Sequence, residues 1–145
     1  MTTTSSEAMT MDMLEINQAT IEKFRVGAEL DHGMHRERLV LLTTVGRRTG
    51  QPRTSPMMFH RDGNRILVIA SNVGAPRHPA WYLNLVADPH VRVELADESY
   101  DAVATPLTGA ERDRAWAELK RLHPFFADHE AATTRTIPVV AIVRG

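Results

Sequence analysis

The chain has 145 residues, 43% of them apolar, and a formal net charge of −1; that is the length and composition of one soluble globular domain. It contains no cysteine, which excludes a disulfide framework, a zinc ribbon, an iron–sulfur cluster and a thiol nucleophile together. No apolar run approaches the ~18 residues of a membrane span, and the first residues lack the basic and apolar regions of a signal peptide, so a cytoplasmic domain without an integral membrane segment is expected.

The small net charge hides a strong division along the chain. Residues 1–31 carry two basic and six acidic side chains, residues 32–77 eight and two, and residues 78–145 seven and ten. All eight basic residues of the middle block are arginine, and the whole chain has only two lysines, Lys23 and Lys120. Guanidinium presents a planar fork suited to phosphate and carboxylate, so an anionic small molecule is sought in the middle third.

In chain order, residues 1–10 are polar and small, expected to be a disordered end. Asp12 with Glu15 resembles a capping box. Leu14, Ile16, Ile21, Phe24 and Leu30 follow at loosely helical spacing with Gly33 as a stop, giving an N-terminal helix over residues 11–34. Residues 35–145 form the main domain. A Leu-, Val- and Thr-rich strand covers 38–45 and ends in Gly46-Arg47-Arg48-Thr49-Gly50, a tight connection between two glycines. A second strand covers 53–61, and Pro56 places it at an edge or bulge. Asp62-Gly63-Asn64 is a hairpin turn into the apolar strand 65–71. A loop through Asn72 and Gly74 leads to a short helix with Pro79 in its first turn. Strands at 91–95 and 100–105 pair around Asp97-Glu98, and Thr108 with Glu111 forms a capping box for a helix ending near His123. An aromatic segment, 124–133, precedes a last buried strand at 137–143. Hairpins with helices inserted between them argue for an α+β protein on an antiparallel sheet or small barrel.

Three stretches carry candidate chemistry. The turn at 46–50 brings Arg47 and Arg48 together and Arg53 follows five residues later, so three guanidinium groups can converge on one anion, with Thr49 and turn amides as further donors. The same pattern also suits a solvated hairpin tip. The strand ending at Ile69, Ala70 and Ser71 runs into small residues, a flat floor on which a planar ring could lie with backbone N–H groups at its edge. Trp81 and Tyr82 follow on the short helix, where packing alone would also explain them. No G-x-G-x-x-G, P-loop, H-E-x-x-H or G-x-S-x-G pattern is present, which argues against a dinucleotide fold, a metal site and a hydrolase elbow. Acidic residues slightly outnumber basic ones and stacking signatures are missing, so no nucleic-acid partner is expected.

Taken together, residues 41–53, the Arg61-Asp62-Gly63 turn, Ala70-Ser71-Asn72, Pro79-Ala80-Trp81-Tyr82-Leu83-Asn84, Ala87-Asp88-Pro89 and the closing Arg135-Thr136-Ile137-Pro138 resemble the deazaflavin-dependent nitroreductase family of actinobacteria. The resemblance runs from about Leu39 to the C-terminus. It implies a split β-barrel of the FMN-binding type with flanking helices, and coenzyme F420 as hydride carrier. On it, Gly46, Arg47, Arg48, Thr49 and Arg53 hold the coenzyme's phosphate. Its ring lies against Ser55, Pro56, Ile69, Ala70, Ser71, Asn72, Ala80 and Trp81, with Asn84 nearby. The implied reaction passes a hydride from reduced F420 to a quinone, an enone or unsaturated lactone, or a nitro compound. An FMN-dependent split-barrel enzyme and a non-enzymatic F420 carrier are the alternatives, as monomer or homodimer.

The resemblance also implies that Ser71 hydrogen-bonds the acceptor. Nitroimidazole-activating relatives carry tyrosines at the positions of Met58, His123, Phe126 and His129, so this pocket has lost four phenols and gained two imidazoles. His123, at the negative end of a helix dipole, and His129 are then the expected proton donors, and all five side chains are expected to line the acceptor pocket. The acidic N-terminal region differs from the basic, aromatic segments of membrane-attached relatives, so any membrane association is expected to be weak.

Overall fold

The computed structural model describes residues 5–31 and 33–145. A helix, α1 (Ser5–Val26), leads into seven strands: β1 (Leu39–Val45), β2 (Pro52–Met58), β3 (His60–Asp62), β4 (Arg65–Ile69), β5 (His90–Glu94), β6 (Ser99–Pro106) and β7 (Val139–Arg144). Helix α2 (Ala80–Ala87) lies between β4 and β5, and α3 (Gly109–Leu122) and α4 (Phe125–Ala131) lie between β6 and β7. The strands form one antiparallel sheet in the order β2-β1-β5-β6-β7-β4-β3, curled so that β2 also approaches β4 across the opening.

Alternation along the strands builds the molecule in layers. Val40 and Leu42 of β1, Ile66 and Val68 of β4, Val93 of β5 and Ile142 of β7 point inward and fill the barrel with Leu85 of α2. The intervening residues point outward and are covered by helices. Leu39 and Leu41 meet Ile21 and Phe24 of α1, while Leu67, Val139 and Ala141 meet Trp116 and Leu119 of α3 and Phe126 of α4.

Most predicted elements lie where the patterning put them, and the departures have local causes. The strand expected at 53–61 is divided into β2 and β3 at Phe59, whose N–H reaches back to the Arg38 carbonyl. Pro52 and Pro56 do sit on an edge strand, where a missing N–H costs no ladder bond. Helix α1 begins at Ser5 and ends at Val26, earlier at both ends than the expected 11–34, and the expected disordered segment therefore overlaps it; residues 1–4 lie outside the described residues. Gly27 in the left-handed region (φ 75) ends α1, with the Ala28 N–H closing onto the Lys23 carbonyl. Asp12 thus lies inside the helix. Thr108 does cap α3 by position, but its side chain makes no capping bond, and the Glu111 carboxylate pairs with Arg65 (3.2 Å). The aromatic segment at 124–133 folds into α4.

Candidate functional site

The turn between β1 and β2 is closed by two 2.8 Å backbone bonds, Gly46 N–H to the Gln51 carbonyl and Gly50 N–H to the Gly46 carbonyl. A Cβ at position 46 would lie 2.8 Å from Thr49 Oγ1 and 3.1 Å from the Gln51 carbonyl. Only glycine fits there. Arg47, Arg48 and Thr49 are thereby projected outward and are exposed.

A cavity of about 420 Å³ opens beside this turn. Gly46, Arg47, Arg48, Thr49, Arg53 and Ser55 line one side, Ala80, Trp81 and Asn84 of α2 another. Nine of the expected coenzyme residues therefore share one cavity, and among the described residues no carboxylate lines it. Among the described residues, Arg48 and Arg53 form no ion pair and no side-chain hydrogen bond, whereas Arg25, Arg65, Arg92 and Arg144 are each matched with a carboxylate. Among the described residues the cavity wall therefore concentrates positive charge without a matching carboxylate, which is an electrostatic environment that attracts anions.

Asn84 is only 4% exposed and braces the turn. Its Oδ1 accepts the Arg47 backbone N–H at 3.1 Å, and its Nδ2 donates to Thr44 Oγ1 at 3.1 Å. The Arg47 amide is therefore already committed, which reduces the turn N–H groups left for a ligand.

The third wall of the cavity comes from α1, through Leu14, Asn17, Gln18 and Ile21. Sequence reasoning missed this contribution. The helical spacing pointed to Ile21 and Phe24 as buried, and a polar residue one turn away reads as solvated unless the neighbouring turn is known.

Pro56, Ile69, Ala70, Ser71 and Asn72 lie outside the lining of that cavity. The Ala70 N–H is used by the Pro138 carbonyl (3.0 Å), so the edge of the expected floor is less open than its small residues suggest. Ser71 begins a second locus. It is 7% exposed, and its Oγ lies 3.0 Å from Nδ1 of His129 on α4. Asn72, Val73 and Gly74 follow with φ of 48, 51 and 79, three consecutive left-handed residues, two of them non-glycine. A Cβ on Gly74 would come within 2.7 Å of both the Ala132 Cβ and the His129 carbonyl, so α4 is seated directly on this turn.

The other expected acceptor residues divide. His123 follows α3 as its C-cap, and its ring rests against Phe125 and Phe126 at 5.9 and 6.0 Å. Among the described residues its side chain makes no hydrogen bond. Phe126 is 4% exposed, lies 5.8 Å from the Trp116 ring and supports His129 from behind at 5.8 Å. Met58 is at the end of β2 opposite Leu39, with no ring or polar contact to α4. Ser71 and His129 are the pair that the fold brings together. Among the described residues no group of side chains could hold a metal ion, and no helix is long and apolar enough to cross a membrane.

The model of the F420H(2)-dependent quinone reductase family matches residues 15–143. The chain belongs to this family. It is 35% identical over 108 residues to an F420H(2)-dependent quinone reductase of Mycobacterium tuberculosis, a stretch covering 72% of each protein. A solved F420-H2 dependent reductase, FDR-A, superposes with a TM-score of 0.67 and 34% identity, covering 76% of this chain and 99% of its own. A further solved chain, described as a domain-swapped dimer, superposes with a TM-score of 0.68 and 29% identity over 95% of this chain and 98% of its own. The protein is thus an F420-dependent reductase with the split-barrel fold of its family.

Proposed function

We propose that this reductase takes quinones as its hydride acceptors, with the coenzyme seated in the arginine-lined cavity and the acceptor met by Ser71. One observation carries the seating: three guanidinium groups and, among the described residues, no carboxylate around a cavity walled by Trp81. A phosphate suits Arg48 and Arg53, which have no side-chain partner among the described residues, and a planar ring suits the indole and the Ala80 methyl beside it. Reduced F420, when bound, supplies a hydride, two electrons delivered together.

The chain's own side chains then have three tasks. The arginine turn, braced by Asn84, fixes the anionic end and so orients the ring. The α1 side chains Leu14 and Ile21 narrow the cavity from a third side. Ser71 donates its Oγ–H to the acceptor's carbonyl oxygen, where negative charge grows as the hydride arrives, and His129 Nδ1 behind it can pass a proton in the same direction. The gain of a hydride at the quinone and a proton at its oxygen balances the two-electron reduction.

The test is a titration with F420 and with FMN, followed through the fluorescence of Trp81, and then oxidation of reduced F420 by a naphthoquinone. Saturable F420 binding tighter than FMN binding, with turnover of the quinone, is expected. Binding without turnover would make the protein a coenzyme carrier instead.

A further inference from the structure

The strained turn after Ser71 is held by one side chain that the proposed reaction does not use. Arg135, between α4 and β7, donates from Nη2 to the Ser71 carbonyl at 2.6 Å, from Nη1 to the Ala70 carbonyl at 3.1 Å and from Nε to the Ala75 carbonyl at 2.9 Å. One planar group therefore ties both ends of the segment that contains the three left-handed residues. Nη1 also lies 2.9 Å from Nδ1 of His78. Guanidinium has donors only, so His78 must present a lone pair at Nδ1 and carry its proton at Nε2.

We propose that Arg135 is a positioning residue for Ser71, and that its hold on the 70–75 turn requires His78 in the neutral form that accepts its N–H. The proposal rests on the reading of Ser71 as the acceptor's hydrogen-bond partner.

The surroundings of His78 favour that form. Its ring lies 4.9 Å from the Tyr82 ring on α2, and both rings border a cavity of about 500 Å³ shared with Arg112 and Asp113 of α3. Asp113, the acidic residue among those lining that cavity, is paired with Arg112 at 3.3 Å. Among the described residues no carboxylate pairs with His78 to stabilise an imidazolium. Burial first, and the Arg135 charge second, hold the His78 pKa below its ordinary value. A proton on Nδ1 would set two cations and two N–H groups face to face, opening the link from Arg135 and loosening the backbone that carries Ser71. The coenzyme cradle shares neither group, since Asn84 and the 46–50 turn support it.

Three readouts over about pH 5–8 separate these roles: coenzyme affinity, naphthoquinone reduction and hydrogen-exchange protection of amides 70–75. In the wild type, protection of the turn and kcat/KM for the quinone fall together as the solution is acidified below the ordinary imidazole range, while coenzyme affinity stays level. His78→Asn places a non-titrating oxygen where Nδ1 stood, and both dependences flatten. Arg135→Lys cannot span the four acceptors, so protection is low throughout and kcat/KM drops about tenfold or more with coenzyme affinity retained. A pH-independent protection in the wild type, or an acid limb that survives in His78→Asn, overturns the proposal and assigns the titration elsewhere, His129 first. If protection follows His78 but no quinone is reduced at any pH, the clamp stands and the role given to Ser71 falls.

Discussion

The Asn84 side chain joins the Arg47 backbone N–H to the Thr44 hydroxyl, each at 3.1 Å, so a helix residue fixes the turn that carries the arginines. The Asn84 side chain is 4% exposed, and removing it leaves the buried Thr44 hydroxyl and the Arg47 N–H without this partner. Asn84→Ala is expected to cost about 1–3 kcal/mol of stability in urea unfolding. It should also weaken F420 binding, because the turn that presents Arg47 and Arg48 loses its brace. Lost stability with unchanged affinity would show that the turn holds its shape through Gly46 and Gly50 alone.

Arg48 has no partner among the described residues and borders the cavity. A charge-assisted bond to phosphate contributes about 1.5–3 kcal/mol, so Arg48→Ala should weaken F420 affinity roughly 10- to 150-fold. The loss should be larger at low salt than at high. Arg61, on the β3–β4 hairpin and 5.7 Å from the Phe59 ring, is the control, and Arg61→Ala should change affinity little. Equal losses in a fluorescence titration would remove the phosphate from the arginine turn.

What could be read from the sequence was local. The Leu-, Val- and Thr-rich run gave β1, the apolar run after Asp62-Gly63-Asn64 gave β4, Pro56 gave an edge strand, and Gly46 with Gly50 gave the turn. The pairing of Ser71 with His129 and the reach of Arg135 to Ala70, Ser71 and Ala75 join residues about 60 positions apart, which no local period encodes. The same holds for Glu111. Its spacing from Thr108 spelled a capping box, but Arg65 from another element took the carboxylate. His123 shows the limit from the other side: it does stand at the end of α3, yet its ring rests against Phe125 and Phe126.

That placement divides the two histidines. His129→Phe removes the partner of the Ser71 hydroxyl and should lower quinone turnover at least about tenfold with coenzyme affinity kept. His123→Phe exchanges one ring for another in an aromatic cluster and should change kcat by less than about twofold. Matched steady-state kinetics on the two variants decide the point, and the reverse ranking would return the proton to His123. Quinones should also outrun a bicyclic nitroimidazole, since no tyrosine stands at Met58, His123, Phe126 or His129 to orient a nitro group.

Gly74→Ala should be one of the most damaging small changes available. The added methyl would sit 2.7 Å from the Ala132 Cβ and from the His129 carbonyl, on a backbone at φ 79. Both the steric overlap and the left-handed cost, about 1–2 kcal/mol for the latter, push α4 away from the turn. A lower melting temperature and loss of the Ser71–His129 contact should appear together. A variant as stable as the wild type would mean that α4 shifts without strain.

The last expectation concerns α1, which supplies the cavity wall that the sequence did not disclose. Arg36 holds its C-terminal end, donating to the carbonyls of Lys23 (3.1 Å), Ala28 (2.7 Å) and Phe24, with its guanidinium 4.8 Å from the Phe24 ring. These bonds add a second donor to the carbonyls of Lys23 and Phe24 and one to that of Ala28, and a cation there also meets the negative end of the helix dipole. The Arg25–Glu94 bridge is the other tie, at 2.8 Å, but Arg25 is half exposed and such pairs contribute at most about 1 kcal/mol. Arg36→Met should therefore free α1 where Glu94→Gln does not, seen as faster proteolysis within residues 14–26. If Leu14, Asn17, Gln18 and Ile21 form a wall of the coenzyme site, F420 affinity should fall several-fold in Arg36→Met and hold in Glu94→Gln. A freed α1 with undiminished affinity would show that the arginine turn and Trp81 hold the coenzyme without it.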